Sequence, residues 1–223
     1  MAFSFHLPWD LTPPAREVAV TLEVLEPPTV DRLYFWAVQA SFLDSAGSHG
    51  AGHLGLQWNP RFPGHTAVNW GGYATQGSIL PGSGSLLPST LQDTNTRDLP
   101  WLAGRRYRLR IYPSLEEGWR GEVTDLETGV TTVVRDLHAG GDHLGRVVVW
   151  TELFCQCSDP RSVVAWSEPV AIALNGEWLI PRAFRVNYQV DGCPNTNVYS
   201  DGHRVFQATA SERTTPQGSL MMV

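Results

Sequence analysis

The sequence predicts an all-β fold, an antiparallel β-sandwich of the jelly-roll or a closely related kind, and three observations predict it. Charged residues make up 17% of the chain, below the ~25% of an ordinary soluble domain. The 21 glycines and 16 prolines cut it into short elements. Between those breaks, runs rich in β-branched and aromatic residues alternate with period two, the mark of strands with one face buried. The 223 residues, 42% hydrophobic, suffice for one core, so residues 1–223 are read as a single domain.

The strands are predicted in order. "REVAVTLEVL" and "RLYFWAVQASFL" are long apolar runs bounded by prolines and polar turns. In "HLGLQW", Leu54, Leu56 and Trp58 share one face and Gly55 and Gln57 the other; in "HTAVNW", Val68 and Trp70 lie opposite Ala67 and Asn69. Both tryptophans therefore join the aliphatic, core-facing side. Residues 77–99, "GSILPGSGSLLPSTLQDTNTRDL", have no periodicity and read as a long loop. "RRYRLRIY" alternates arginine with apolar residues, as a half-exposed strand does. "WRGEVTDLETGVTTVVRDL" is a hairpin turning at Leu126 to Gly129. "RVVVWTELF", "SVVAW" and "RAFRVNYQV" complete the set, and residues 211–223 form a tail or edge strand. So many strands require two packed sheets.

The formal charge of -6, with no basic cluster beyond Arg105 to Arg110, argues against nucleic acid as a partner, because phosphate binding needs a concentrated positive footprint. Every basic residue is arginine, which excludes a catalytic lysine. No apolar run reaches the ~18 residues of a membrane span. The start "MAFSFHLPWDL" lacks the basic and apolar regions of a leader; the chain is read as secreted if a leader has been removed and cytoplasmic otherwise. Of the three cysteines, Cys155 and Cys157 share one strand face; a bridge from either to Cys193 is geometrically plausible, and three reduced, buried thiols are the alternative.

Strand parity also selects candidate site residues. Gln39, Gln57 and Asn69 lie opposite Trp36, Trp58 and Trp70, beside the small Ala37, Gly55 and Ala67. An amide-lined, shallow face of this kind suits sugar hydroxyls, and aromatic rings stack on the apolar side of a pyranose. Trp150, Glu152 and Phe154 share a face of their strand, and Tyr73 flanks the long loop. The ligand-binding candidates are therefore Gln39, Gln57, Asn69, Tyr73, Trp150 and Glu152. Glu152 is the acid set in a strongly hydrophobic strand, where burial raises a carboxyl pKa; it is the catalytic candidate if the protein is an enzyme. No second strand-borne carboxylate forms the pair that glycan hydrolysis requires, since Glu116 and Glu117 adjoin in a turn and Glu122 and Asp125 lie on the hairpin. The motifs G-x-S-x-G, P-loop, H-E-x-x-H and C-x-x-C are all missing. No cofactor is expected. Calcium is the one ion considered, at Asp191, Asn195, Asn197 and Asp201, which are also ordinary turn formers. His138, Asp142 and His143 read as solvated turn residues.

Five segments, "RLYFWAVQASF", "GHLGLQWN", "TAVNWGGY", "ELFCQCSDPRS" and "GCPNTNV", together resemble an uncharacterised bacterial family, common in actinomycetes, a domain of unknown function often found in secreted, carbohydrate-associated proteins. The matching positions are Tyr34 to Phe42, Gly55 to Gln57, Val68 to Trp70, Cys157 and Cys193, and the resemblance runs from Leu33 to Val198. It implies a concanavalin-like sandwich, contact with glycans, and a Cys157–Cys193 bridge that leaves Cys155 free. It supplies no catalytic residues. The expected function is that of a carbohydrate-binding, lectin-like protein with a glycan or other small molecule as partner. The alternatives are an enzyme working in a pocket of the sandwich, either glycan-cleaving or a cyclase or isomerase, and a protein-interaction module.

Overall fold

The computed structural model describes residues 3–9, 11, 13–115 and 118–223; Glu116 and Glu117 lie outside them. Seventeen strands follow in chain order. The first nine are β1 (Phe3–Pro8), β2 (Ala15–Glu26), β3 (Tyr34–Asp44), β4 (Gly47–Trp58), β5 (Thr66–Tyr73), β6 (Thr96–Asp98), β7 (Arg106–Pro113), β8 (Trp119–Asp125) and β9 (Thr131–Leu137). The remainder are β10 (His143–Leu153), β11 (Val163–Ala173), β12 (Trp178–Leu179), β13 (Ala183–Arg185), β14 (Asn187–Tyr188), β15 (Asn197–Ser200), β16 (Arg204–Ala208) and β17 (Leu220–Met222).

They make an antiparallel sandwich. The front sheet runs β14-β1-β10-β3-β4-β5-β6 and the back sheet β15-β16-β11-β2-β7-β8-β9. The two sheets join at one corner, where Leu144 pairs with Ala15. Alternation places Phe5, Trp36, Val38, Leu54, Leu56, Trp70 and Val149 of the front sheet against Val20, Leu22, Leu109, Ile111 and Trp166 of the back sheet, all in one buried cluster. Within this core the Gln207 amide accepts from Thr151 Oγ1 and Trp166 Nε1, each at 2.8 Å, and donates to the Phe5 carbonyl at 2.7 Å. A buried amide with its hydrogen bonds made stitches both sheets to β1 at little cost.

One segment carries more order than expected. The stretch 77–99 contains β6, and its Ile79 and Gly82 bridge to Tyr73 and Leu137, so it is bound to the edges of β5 and β9. The tail contributes β17, which pairs with β13. The strand β1 also escapes the sequence reading: Phe3, Phe5 and Leu7 alternate inward, but the run is short and ends in proline. Cys157 and Cys193 form a disulfide, and Cys155 is a buried free thiol. The bridge spans 36 residues, a closure worth about 4 kcal/mol in the chain-entropy account. Among the turn residues weighed for calcium, Asn195 donates to Cys157 O, Asn197 Oδ1 accepts from Thr214 and Thr215, and Asp201 Oδ1 accepts from His203 and Arg204. Asp201 thus holds a turn, while Asn195 and Asn197 tie their loop to distant segments. Among the described residues no helix is long and apolar enough to cross a membrane.

Candidate active site

The site is built by the outer face of the front sheet, where directly paired residues share a face. One rung reads Ser4, Glu152, Phe35, Gln57, and the next His6, Trp150, Ala37, Gly55, Asn69. A third contains Val148, Gln39, His53 and Gly71. The sheet's twist and the neighbouring loops turn the left part of this face into a cleft of about 370 Å³ lined by Ser4, His6, Phe35, Gln39, His53 and Tyr73, with Trp150, Glu152 and Phe154 completing its wall.

The aromatic rings interlock. Phe35 stands edge-on to Trp150 with centroids 4.9 Å apart, and His53 contacts Phe35 at 5.7 Å, Trp150 at 6.0 Å and Tyr73 at 6.1 Å. His6 approaches Trp150 at 6.3 Å. Such a cluster is rigid and apolar, suited to holding a large side chain. Trp150 is 7% exposed and its Nε1 is buried without a partner.

Glu152 is the acid in this cleft. It makes no hydrogen bond or ion pair with any described residue, and burial raises its pKa above the ordinary carboxylate value. Gln39 likewise has no hydrogen-bond partner among the described residues and lines the same cleft. Burial lowers the pKa of His6 and pushes that of His53 down to about 4. Burial thus favours the uncharged form of all three groups, the neutral imidazoles of His6 and His53 and the protonated carboxyl of Glu152.

His53 makes the protein acid-sensitive. A base whose folded pKa is depressed contributes stability that is present above the unfolded value of 6.5 and lost as pH falls toward about 4. The full shift corresponds to about 3 kcal/mol, reduced to about 2 kcal/mol because one edge of the ring meets the solvent of the cleft. Urea unfolding at pH 7 and pH 4 is expected to show wild type losing about 2 kcal/mol more than His53→Gln over that interval; equal losses would mean that His53 titrates as it does in water.

Of the residues selected from the sequence, Gln39, Tyr73, Trp150 and Glu152 meet in the cleft. Gln57 and Asn69 share its face but are 5% and 8% exposed, and this corrects their placement in an open groove. Asn59 Nδ2 donates to Gln57 Oε1 at 2.9 Å, and Asn69 Nδ2 donates to Thr96 Oγ1 at 2.9 Å. The edge strand β6 and the chain after β4 bury that half of the face. Ser4, His6, Phe35 and His53 were missed. His53 has the parity of Gln57 on β4, a signal present in the sequence, whereas Ser4 and His6 depended on recognising β1.

No family model matches the chain, and no curated protein matches it. Among solved structures, scytalido-glutamic peptidase with a peptide-based transition state analog is similar over 92% of this chain and 97% of its own, with a TM-score of 0.55 at 10% identity. SCP-B, a member of the eqolisin family of peptidases in a complex with the tripeptide Ala-Ile-His, covers 92% of this chain and 96% of its own at 9% identity and a TM-score of 0.49. The likeness is one of fold. It agrees with the β-sandwich and overturns the lectin-like, carbohydrate-binding expectation, since the whole-chain counterpart is an enzyme. The physical reason lies in the cleft: two of the amides meant to grip hydroxyls are buried, and what is open is a cage of rings around an unpaired carboxyl.

Proposed function

We propose that this protein is a hydrolase of peptide bonds in which Glu152 is the acid–base group. The observation that carries the reading is the state of Glu152: a carboxyl in an aromatic cleft, both oxygens free of protein partners, its pKa raised by burial. A structural glutamate in a hydrophobic strand needs hydrogen bonds to offset its desolvation, and Glu152 has none among the described residues. A carboxyl with a raised pKa holds its proton to higher pH than an ordinary one, and it serves as a base when ionised and as an acid when protonated. It can take a proton from water as that water attacks the carbonyl carbon, then pass the proton to the leaving nitrogen. The name of the glutamic peptidase that shares the fold, and its peptide-based ligand, support the same chemistry.

The rung supplies an amide as well. Gln57 lies beyond Phe35 from Glu152, about 10 Å away between Cα atoms at two strand spacings. Asn59 ties down its Oε1, so on this side chain, 5% exposed at the closed end of the face, Nε2 is the end that would donate to a carbonyl oxygen bound above Phe35 once the cover shifts. The ring cage of Phe35, His53, Tyr73 and Trp150 would then seat a large apolar side chain beside the bond. The test is digestion of a mixed peptide library followed by mass spectrometry. Internal cleavage products with a large apolar residue next to the cut are expected; a library left intact between pH 3 and pH 7, alongside release of sugars from a polysaccharide panel, would replace the peptide reading with a glycan-cleaving one.

A further inference from the structure

A second cavity opens where β9 meets the edge of β5, walled by Ile79 to Gly82, by Gln92 to Asn95 and by Arg135, with a volume of about 610 Å³. Arg135 is 2% exposed. Its Nη1 donates to Thr94 O and Asn95 Oδ1, each at 2.8 Å, while its Nε is buried with no partner. Arg97 Nη2 donates to the same Thr94 carbonyl at 3.3 Å, and its Nε too is buried and unpartnered. Two guanidinium groups thus converge on one carbonyl oxygen. Among the described residues neither forms an ion pair, although Arg110 of β7 pairs with Glu17 and Arg120 of β8 with Asp136, each at 2.7 Å.

The nearby carboxylates are committed elsewhere. Asp93, the acid in the cavity wall, accepts from Asn95 N and Thr96 N at 2.8 Å through Oδ1. Asp136 is held by Arg120 and Ser114, and Asp98 by Thr90. Burial, and after it the neighbouring Arg97 charge, lowers the pKa of Arg135 against the pull of Asp93 and Asp136. Buried charges are almost always paired, because desolvation of an isolated ion costs several kcal/mol. Gly82 fits the same picture, since a Cβ there would collide with Arg135 Nη2; glycine keeps the chain off the guanidinium.

We propose that Arg135, which lines this cavity, and Arg97, which meets it at the Thr94 carbonyl, form a carboxylate-binding site for the acidic side chain or the C-terminal carboxylate of a peptide. The planar guanidinium fork matches a carboxylate better than a point charge does. The cavity adjoins the strand edge beside the aromatic cleft, for Tyr73 lines the cleft and its bridge partner Ile79 lines the second cavity. Binding here does not depend on the hydrolase reading, and the test is read without catalysis.

The experiment follows the side-chain Nε–H resonances of Arg135 and Arg97 in ¹⁵N-labelled wild-type protein, assigned through their backbones. The probes are N-acetyl-aspartate amide, which offers a side-chain carboxylate; N-acetyl-glycylglycine, which offers a C-terminal one; inorganic phosphate; and sodium chloride at matched ionic strength. A saturable shift of the Arg135 signal with one or both carboxylates is expected, and which of the two binds more tightly identifies the source. Arg97→Gln, at the less buried position, should weaken that binding about tenfold, the value of one charge-assisted hydrogen bond, and Arg135→Gln should remove it if the variant folds. No saturation with either carboxylate, an equal response to chloride, or binding of phosphate alone would overturn the assignment.

Discussion

Glu152→Gln is expected to reduce peptide hydrolysis about 10³-fold, the usual scale for losing a positioned acid–base group, while leaving the fold intact. Glutamine keeps the shape and the hydrogen-bonding capacity of the side chain but neither accepts nor releases a proton. The same substitution should leave stability unchanged or higher at neutral pH. A carboxyl whose folded pKa is raised contributes stability that is fully present below the unfolded value of 4.5 and lost as pH rises through the folded value; the glutamine side chain carries no such loss. Turnover of a cleaved library peptide and thermal unfolding at pH 4 and pH 7 measure both effects. Retained turnover with an intact fold would remove Glu152 from the chemistry, and a collapse of stability at both pH values would make it a structural group.

Glu152 and His53 pull the pH dependence of stability in opposite directions. The carboxyl favours the folded state in acid and the imidazole favours it near neutrality, since burial penalises the charged form of each. They sit in one cleft because β10 and β4 flank β3, and their strand parity was legible in the sequence, as it was for Gln39 and Trp150. The sequence did not reveal which part of the face stays open. Gln57 and Gln39 have the same parity and side-chain type, yet Asn59 and the chain that follows bury Gln57 while Gln39 borders the cleft. Cover of that kind comes from segments far apart in the chain, and alternation along a single strand carries no trace of it. The arginine pair was hidden for the same reason. Arg97 ends the irregular stretch 77–99 and Arg135 lies on a regular strand, and their meeting at Thr94 O depends on how that stretch folds back along β5.

Trp70→Ala is expected to cost about 3 to 5 kcal/mol, the range for truncating a fully buried large aromatic. The ring is 0% exposed. It reaches from the front sheet to the back, with Nε1 donating to Trp119 O at 3.3 Å and its face set edge-on to Phe42. Two glycines make room for it. A Cβ at Gly52 would come within 2.6 Å of the ring, and one at Gly121 on β8 within 2.7 Å, so the indole fills a slot that spans the two sheets. Gly121→Ala is therefore expected to destabilise as well, because the ring it would strike is wedged on both sides and cannot rotate away without leaving its rotamer. Trp58 marks the contrast. Parity places it on the same core face, but it sits at the rim, partly exposed, with Nε1 donating to Val30 O at 3.0 Å and its ring edge-on to His65 at 4.8 Å. Trp58→Ala should cost about half as much, since less apolar area leaves water there on folding. Urea denaturation of the three variants measures the order: Trp70→Ala losing no more stability than Trp58→Ala would show that the slot between Gly52 and Gly121 is not where the sheets lock together.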